Sequence, residues 1–122
     1  MLNIDVNGIT LQVKLVDNSS VTAVKQLLRH GSLTIPMKDY AKMEKFGSFG
    51  VQLPRNDAYI TTQPGDVILS EGNLLVIYYA TNTWNFTRIG HIINFSSEKL
   101  KQVLGKGSIT VTLSLSDDEK SA

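Results

Sequence analysis

The first fifteen residues leave little choice of fold. Leu2, Ile4 and Val6 alternate with Asn3 and Asp5; after Asn7-Gly8, residues Ile9, Leu11, Val13 and Leu15 alternate with Thr10, Gln12 and Lys14. Period two puts an apolar face on each strand, and Asn-Gly tolerates the positive φ that a type I′ turn needs at both central residues. The chain therefore opens with an antiparallel hairpin, and a hairpin with one apolar face must close onto a core.

The period changes from Asn18 to Arg29. Asn18, Ser19 or Ser20 offers a cap, Val21, Val24, Leu27 and Leu28 fall on one helical stripe, and Gly31 is placed to end it. Alternation returns at Leu33, Ile35 and Met37, and Phe46 to Leu53 is expected as a strand bulged at its glycines. Pro54 to Asp66 is rich in turn formers and is expected as surface connection. The seven-residue run Leu74 to Ala80 has the length and β-branched and aromatic content of a central strand covered on both faces. Phe86 to Ile93 predicts another strand interrupted by Gly90. Ser96-Ser97 then cap a short helix with Leu100, Val103 and Leu104 inward and Gly105 at its end, and Ile109, Val111, Leu113 and Leu115 alternate as a last strand. About eight strands with one early and one late helix predict a mainly β fold, a closed or nearly closed barrel with helices over its ends. Residues 1–116 are expected as a single domain and residues 117–122 as a polar, frayed tail.

Composition narrows the chemistry. The chain has no cysteine, which removes thiolate nucleophiles, disulfides and cysteine-ligated zinc. Twelve basic against eleven acidic side chains leave a formal charge of +1 and no net field toward nucleic acid or an anionic membrane, so neither is expected as a partner. No apolar run is long enough to cross a bilayer, and the start lacks the basic and apolar regions of a secretory signal. A cytoplasmic protein is the default expectation, or an exported one if a leader has been removed.

Two local motifs and the order of elements carry a resemblance. Asn82-Thr83-Trp84-Asn85-Phe86-Thr87-Arg88-Ile89-Gly90-His91-Ile92 resembles the aromatic-rich late strand of the bacterial cyclophilin-like domain family, which precedes a short helix and a final strand there. Met37-Lys38-Asp39-Tyr40, Glu44-Lys45-Phe46, Leu53-Pro54, Pro64-Gly65-Asp66-Val67 and Gly72-Asn73-Leu74 resemble that family's middle portion. The resemblance spans nearly the whole chain and rests on order and spacing rather than on any single motif. It implies the eight-stranded barrel of cyclophilins, the peptidyl-prolyl isomerases, without implying their activity. The Phe-His-Arg strand that supplies the catalytic arginine in true cyclophilins is missing here, as is the Gln-Gly-Gly stretch that follows it. Trp84 ahead of Ile89-Gly90-His91-Ile92 resembles the cyclophilin tryptophan loop and the strand after it.

Among candidate site residues Arg88 stands first, because a guanidinium offers a fixed fork of donors to a carbonyl or carboxylate; alternatively it pairs with Glu44 or Asp66 as an ordinary strand residue. Trp84, Phe86, Tyr78 and Tyr79 have the ring area for an aromatic wall, although such residues also serve as core. Trp84 is set apart by Thr81, Asn82, Thr83 and Asn85, a polar stretch expected as a loop. His91 has a side chain able to act as a base, yet no carboxylate partner is evident nearby in sequence. His30, at a helix end, is explained by the helix dipole. Two distant histidines without local ligand spacing predict no metal site. Glu44 and Lys45 are adjacent, so on a strand they face opposite ways and serve as structural or rim residues. No serine elbow, P-loop or dinucleotide fingerprint occurs, and no catalytic residue or cofactor is assigned.

The leading expectation is a binding module whose aromatic groove, formed by Phe46, Phe49, Tyr79, Trp84, Arg88 and His91, holds a peptide segment or small ligand. The alternatives are a prolyl isomerase with a non-standard site and an accessory subunit of a larger enzyme assembly. A monomer or weak homodimer is expected.

Overall fold

The computed structural model describes residues 1–116, so the tail expected from residue 117 lies outside the described residues. Nine strands and two helices follow the chain in the order β1 (Leu2–Val6), β2 (Ile9–Leu15), α1 (Ser19–Leu28), β3 (Leu33–Tyr40), β4 (Glu44–Ser48), β5 (Ala58–Thr62), β6 (Asp66–Ser70), β7 (Leu74–Tyr78), β8 (Asn82–Ile92), α2 (Ser97–Leu104) and β9 (Ile109–Leu115). Every pairing is antiparallel. Eight strands run in the order β2-β1-β9-β3-β4-β7-β6-β8, and pairing of β2 with β8 closes them into a barrel. Closure removes the free edges of these eight strands.

Period-two alternation fills the interior. Ile4, Leu11, Val13, Ile35, Val67, Leu69, Leu75, Ile77, Ile89, Val111 and Leu113 are almost wholly buried in one cluster, which the helices complete. Asn18 caps α1 by accepting a hydrogen bond from the Val21 amide at 2.8 Å, and Val21, Val24 and Leu28 turn inward. Ser96 caps α2 through the Lys99 amide at 3.3 Å, and Leu100 and Leu104 cover the other end of the barrel.

Three expectations are corrected. The segment read as surface connection contains β5, and the stretch around Trp84 read as a loop is the first half of β8. These two pair from Ala58↔Phe86 to Thr62↔Asn82, forming a ribbon that continues beyond the barrel wall. Ladder bonds and the Thr61–Thr83 hydroxyl pair at 2.8 Å hold the ribbon. Its residues are mostly exposed on both faces, so no apolar alternation marks it in the sequence. The strand expected at Phe46 to Leu53 is also shorter and earlier, since β4 begins at Glu44 and ends at Ser48.

Candidate functional site

Glu44 and Lys45 are neighbours on β4, and Tyr79 follows Tyr78, the last residue of β7. Cross-strand pairing sets Glu44 opposite Tyr78 and Phe46 opposite Val76 on the outer face. Alternation sends Lys45 and Tyr79 the other way, toward the end of the barrel near α2. Two sites therefore share the same two strands, back to back.

The outer site is a groove of about 480 Å³ between the barrel wall and the β5–β8 ribbon. Phe46, Val76, Tyr78, Trp84 and Phe86 supply apolar surface, and Tyr40, Glu44, Ser70 and Asn82 add polar groups. Beneath it Ile68, Val76, Tyr78 and Phe86 form a second apolar cluster, separate from the barrel interior, with Phe46 and Ile60 packed against it. Tyr78 and Phe86 stack tilted at 5.6 Å between centroids, and Tyr40 meets Phe46 edge-on at 6.3 Å. Trp84 remains 62% exposed at the rim.

Glu44 lies buried in the floor, where the Tyr78 hydroxyl donates to it and the Asn82 side-chain amide donates to Tyr78 at 3.2 Å. Burial pushes the Glu44 carboxyl above its ordinary 4.5, the Asp39 charge adds to this, and the Tyr78 hydrogen bond only partly opposes it. Burial likewise raises the Tyr78 hydroxyl well above the usual tyrosine range. A carboxyl raised on folding makes the native state bind more protons than the unfolded chain. Stability should accordingly fall as pH rises from 4.5 through the raised value, then level off. Glu44→Gln, whose amide oxygen still accepts from Tyr78, removes this decline. Urea unfolding is expected to show the variant gaining on the parent between pH 4 and 7, with no gain below pH 4; equal pH profiles would count against a buried, proton-binding Glu44.

The inner site is built on Lys45, whose side chain is fully buried. Its ammonium donates to the Gly107 carbonyl at 2.6 Å, pairs with Asp39 Oδ1 at 3.1 Å and stands 5.9 Å from the centre of the Tyr79 ring. The Tyr79 hydroxyl also donates to Asp39. Burial alone would raise Asp39, but the Tyr79 hydroxyl and the Lys45 ammonium together hold its carboxyl below the ordinary 3.8. Burial and the neighbouring carboxylate raise the Tyr79 hydroxyl.

The six residues expected to form one groove are divided by the fold. Phe46 and Trp84 line the outer groove. Phe49 is 4% exposed and packs into the barrel core, and Tyr79 belongs to the inner site. Arg88 and His91 converge on a third point, Asp66: Arg88 Nη1 approaches Oδ2 at 2.9 Å and His91 Nδ1 approaches Oδ1 at 2.8 Å. Asp66 itself is nearly buried and also accepts from the Gln63 amide at 2.8 Å. Arg88 thus has the Asp66 pairing weighed from the sequence, and His91 has a carboxylate 25 positions away that local spacing does not reveal. Sequence reasoning passed over Asp39, Tyr40 and Asn82 as site residues and left Glu44 and Lys45 as rim. The available signal was the pair of unlike neighbours Glu44 and Lys45 on one strand.

A small closed eight-stranded antiparallel barrel with helices over its ends is the cyclophilin class of fold. Comparison with known proteins agrees with the geometry. A family model described as the cyclophilin-like family matches residues 4–114, and the chain belongs to that family. Its fold is similar to the solution structure of a hypothetical protein from Archaeoglobus fulgidus, with a TM-score of 0.69, 17% identity, and 94% of this chain and 93% of that one covered. No curated protein matches the chain. Among the described residues, no helix is long and apolar enough to cross a membrane.

Proposed function

We propose that the protein is a binding module whose outer groove accepts an extended peptide segment. The observation that carries this is Trp84, held 62% exposed on a paired strand and lining the same groove as Phe46, Tyr78 and Phe86. A large apolar ring on a rigid ribbon costs little conformational entropy on binding and supplies area to a partner side chain. The recess suits one apolar or proline side chain of the peptide. The surrounding Glu44, Ser70 and Asn82 groups suit the amides on either side of it. Arg88 does not line the groove, and its guanidinium is engaged by Asp66, so a prolyl isomerase acting through Arg88 gains no support from this arrangement.

Trp84 is the sole tryptophan, so its fluorescence reports on the groove without labelling. Titration with a library of short apolar and proline-containing peptides is expected to shift the emission to the blue with saturable binding. Trp84→Ala and Phe46→Ala, read by calorimetry, are each expected to weaken the best binder about tenfold or more, the loss typical of an aromatic anchor. A library that leaves the emission unchanged, or a binder indifferent to both substitutions, rejects the groove.

A further inference from the structure

We propose that the inner end of the barrel is a second binding site, independent of the outer groove, for a small molecule carrying two or more closely spaced negative charges. The cavity there has a volume of about 580 Å³ and is lined by Asp39, Lys42, Tyr79, Lys101, Gln102 and the Gly105–Gly107 loop with Lys106 at its centre. Three lysines from two separate elements, the β3–β4 turn and the α2–β9 segment, meet at one mouth. The one lining carboxylate, Asp39, is neutralised from below by Lys45 and capped by the Tyr79 hydroxyl. Lys42, Lys101 and Lys106 are exposed and form no ion pair among the described residues. Three exposed ammonium groups around one neutralised carboxylate give this mouth a local excess of positive charge on a chain whose formal charge is only +1.

The β3–β4 turn adds an independent observation. Three hairpin turns of this fold have two successive residues at positive φ: Asn7-Gly8 (49° and 80°), Glu71-Gly72 (54° and 77°) and Ala41-Lys42 (52° and 54°). The first two place glycine second, as the geometry favours; the third places a lysine there and an alanine before it, both unfavourable in the left-handed region. Departure from the favoured turn residues at one turn of three, and at the one that brings a lysine to the cavity, is the pattern of local strain kept at a functional position. Lysine ammoniums act on phosphate and carboxylate groups as compact point charges, without the planar fork that arginine would impose. A bounded recess of this size suits a small molecule rather than a polymer running through it.

Calorimetric titration of the full chain with pyrophosphate and with citrate, at low and at physiological salt, tests the site. At least one probe is expected to bind saturably, with affinity falling as salt rises. Lys101→Gln with Lys106→Gln, both exposed positions, is expected to weaken it about tenfold or more while leaving peptide binding in the outer groove unchanged. Ala41→Asn with Lys42→Gly should raise the midpoint of thermal unfolding by about 3–6 °C, by restoring the favoured turn, and at the same time weaken the probe several-fold. Binding of neither probe, binding unaffected by the lysine substitutions, or binding only of a single-stranded oligonucleotide through the same lysines overturns the proposal.

Discussion

Gly90→Ala is expected to destabilise the protein by about 3 kcal/mol, at the upper end of what overpacking usually costs. The barrel closes where β2 meets β8, and that seam has only the pairs Val13↔Ile92, Lys14↔His91 and Leu15↔Gly90. Two flanking bonds extend it, from the Val16 amide to the Ile89 carbonyl at 3.0 Å and from the Ile93 amide to the Gln12 carbonyl at 2.9 Å. A Cβ at position 90 would lie 2.4 Å from the Lys14 carbonyl oxygen and 2.7 Å from Val13 Cγ1. The first of these is backbone, which yields only by pulling β2 away from β8. Urea unfolding should show a lower midpoint. Hydrogen exchange at the Val16 and Ile93 amides should accelerate more than at β1 or β9, because the seam opens before the rest. A variant with the parent's midpoint and the parent's exchange at these two amides would mean that closure tolerates a wider spacing.

Lys45→Ala is expected to cost a similar amount, about 3 kcal/mol, the lower end of the range for removing one partner of a buried pair. The Asp39 side chain, 21% exposed, keeps some access to water, which holds the loss at that end. The substitution leaves the Gly107 carbonyl without its donor and Asp39 without its cation. Lys45→Met retains most of the packed stem and should cost roughly half as much, separating lost packing from lost charge. The pH dependence has a definite sign. A carboxyl held below its ordinary 3.8 contributes stability above that value and loses it as pH falls through the lower folded one. The difference between parent and Lys45→Ala should therefore be full above pH 4 and shrink in stronger acid. A difference that stays constant down to pH 2 would show that Lys45 acts through packing alone.

The outer groove and the inner cavity sit on opposite faces of the same strands, and this bears on how a sequence of this kind is read. Alternation located β1, β2, β9 and the inner face of β3, because each strand must bury every second residue against one core, and a continuous apolar run located β7. The same rule failed for the β5–β8 ribbon. Tyr59, Thr61, Thr83 and Trp84 are exposed, and nothing in a polar, two-sided strand distinguishes it from a loop. Trp84 was thus recognisable as an unusual exposed ring, while its support was not. Phe49 illustrates the opposite error: its aromatic character is the same as that of Phe46, but it follows the end of β4, where the chain turns into the core.

By itself the sequence determined the strand-rich class, the opening hairpin, the two capped helices and the absence of thiol chemistry, because these depend on local period, local caps and residue type. It also determined that Glu44 and Lys45 face opposite ways, since neighbours on a strand always do. The tertiary structure alone decided which partners they meet. Lys45 reaches Gly107, 62 positions away, and Asp66 gathers Arg88 and His91 from a different strand. Those contacts arise from barrel closure and from the register of each pair of strands, which a period-two pattern leaves open to any shift by an even number of residues. Burial of the charges, and with it their displaced protonation, exists only once that register is set.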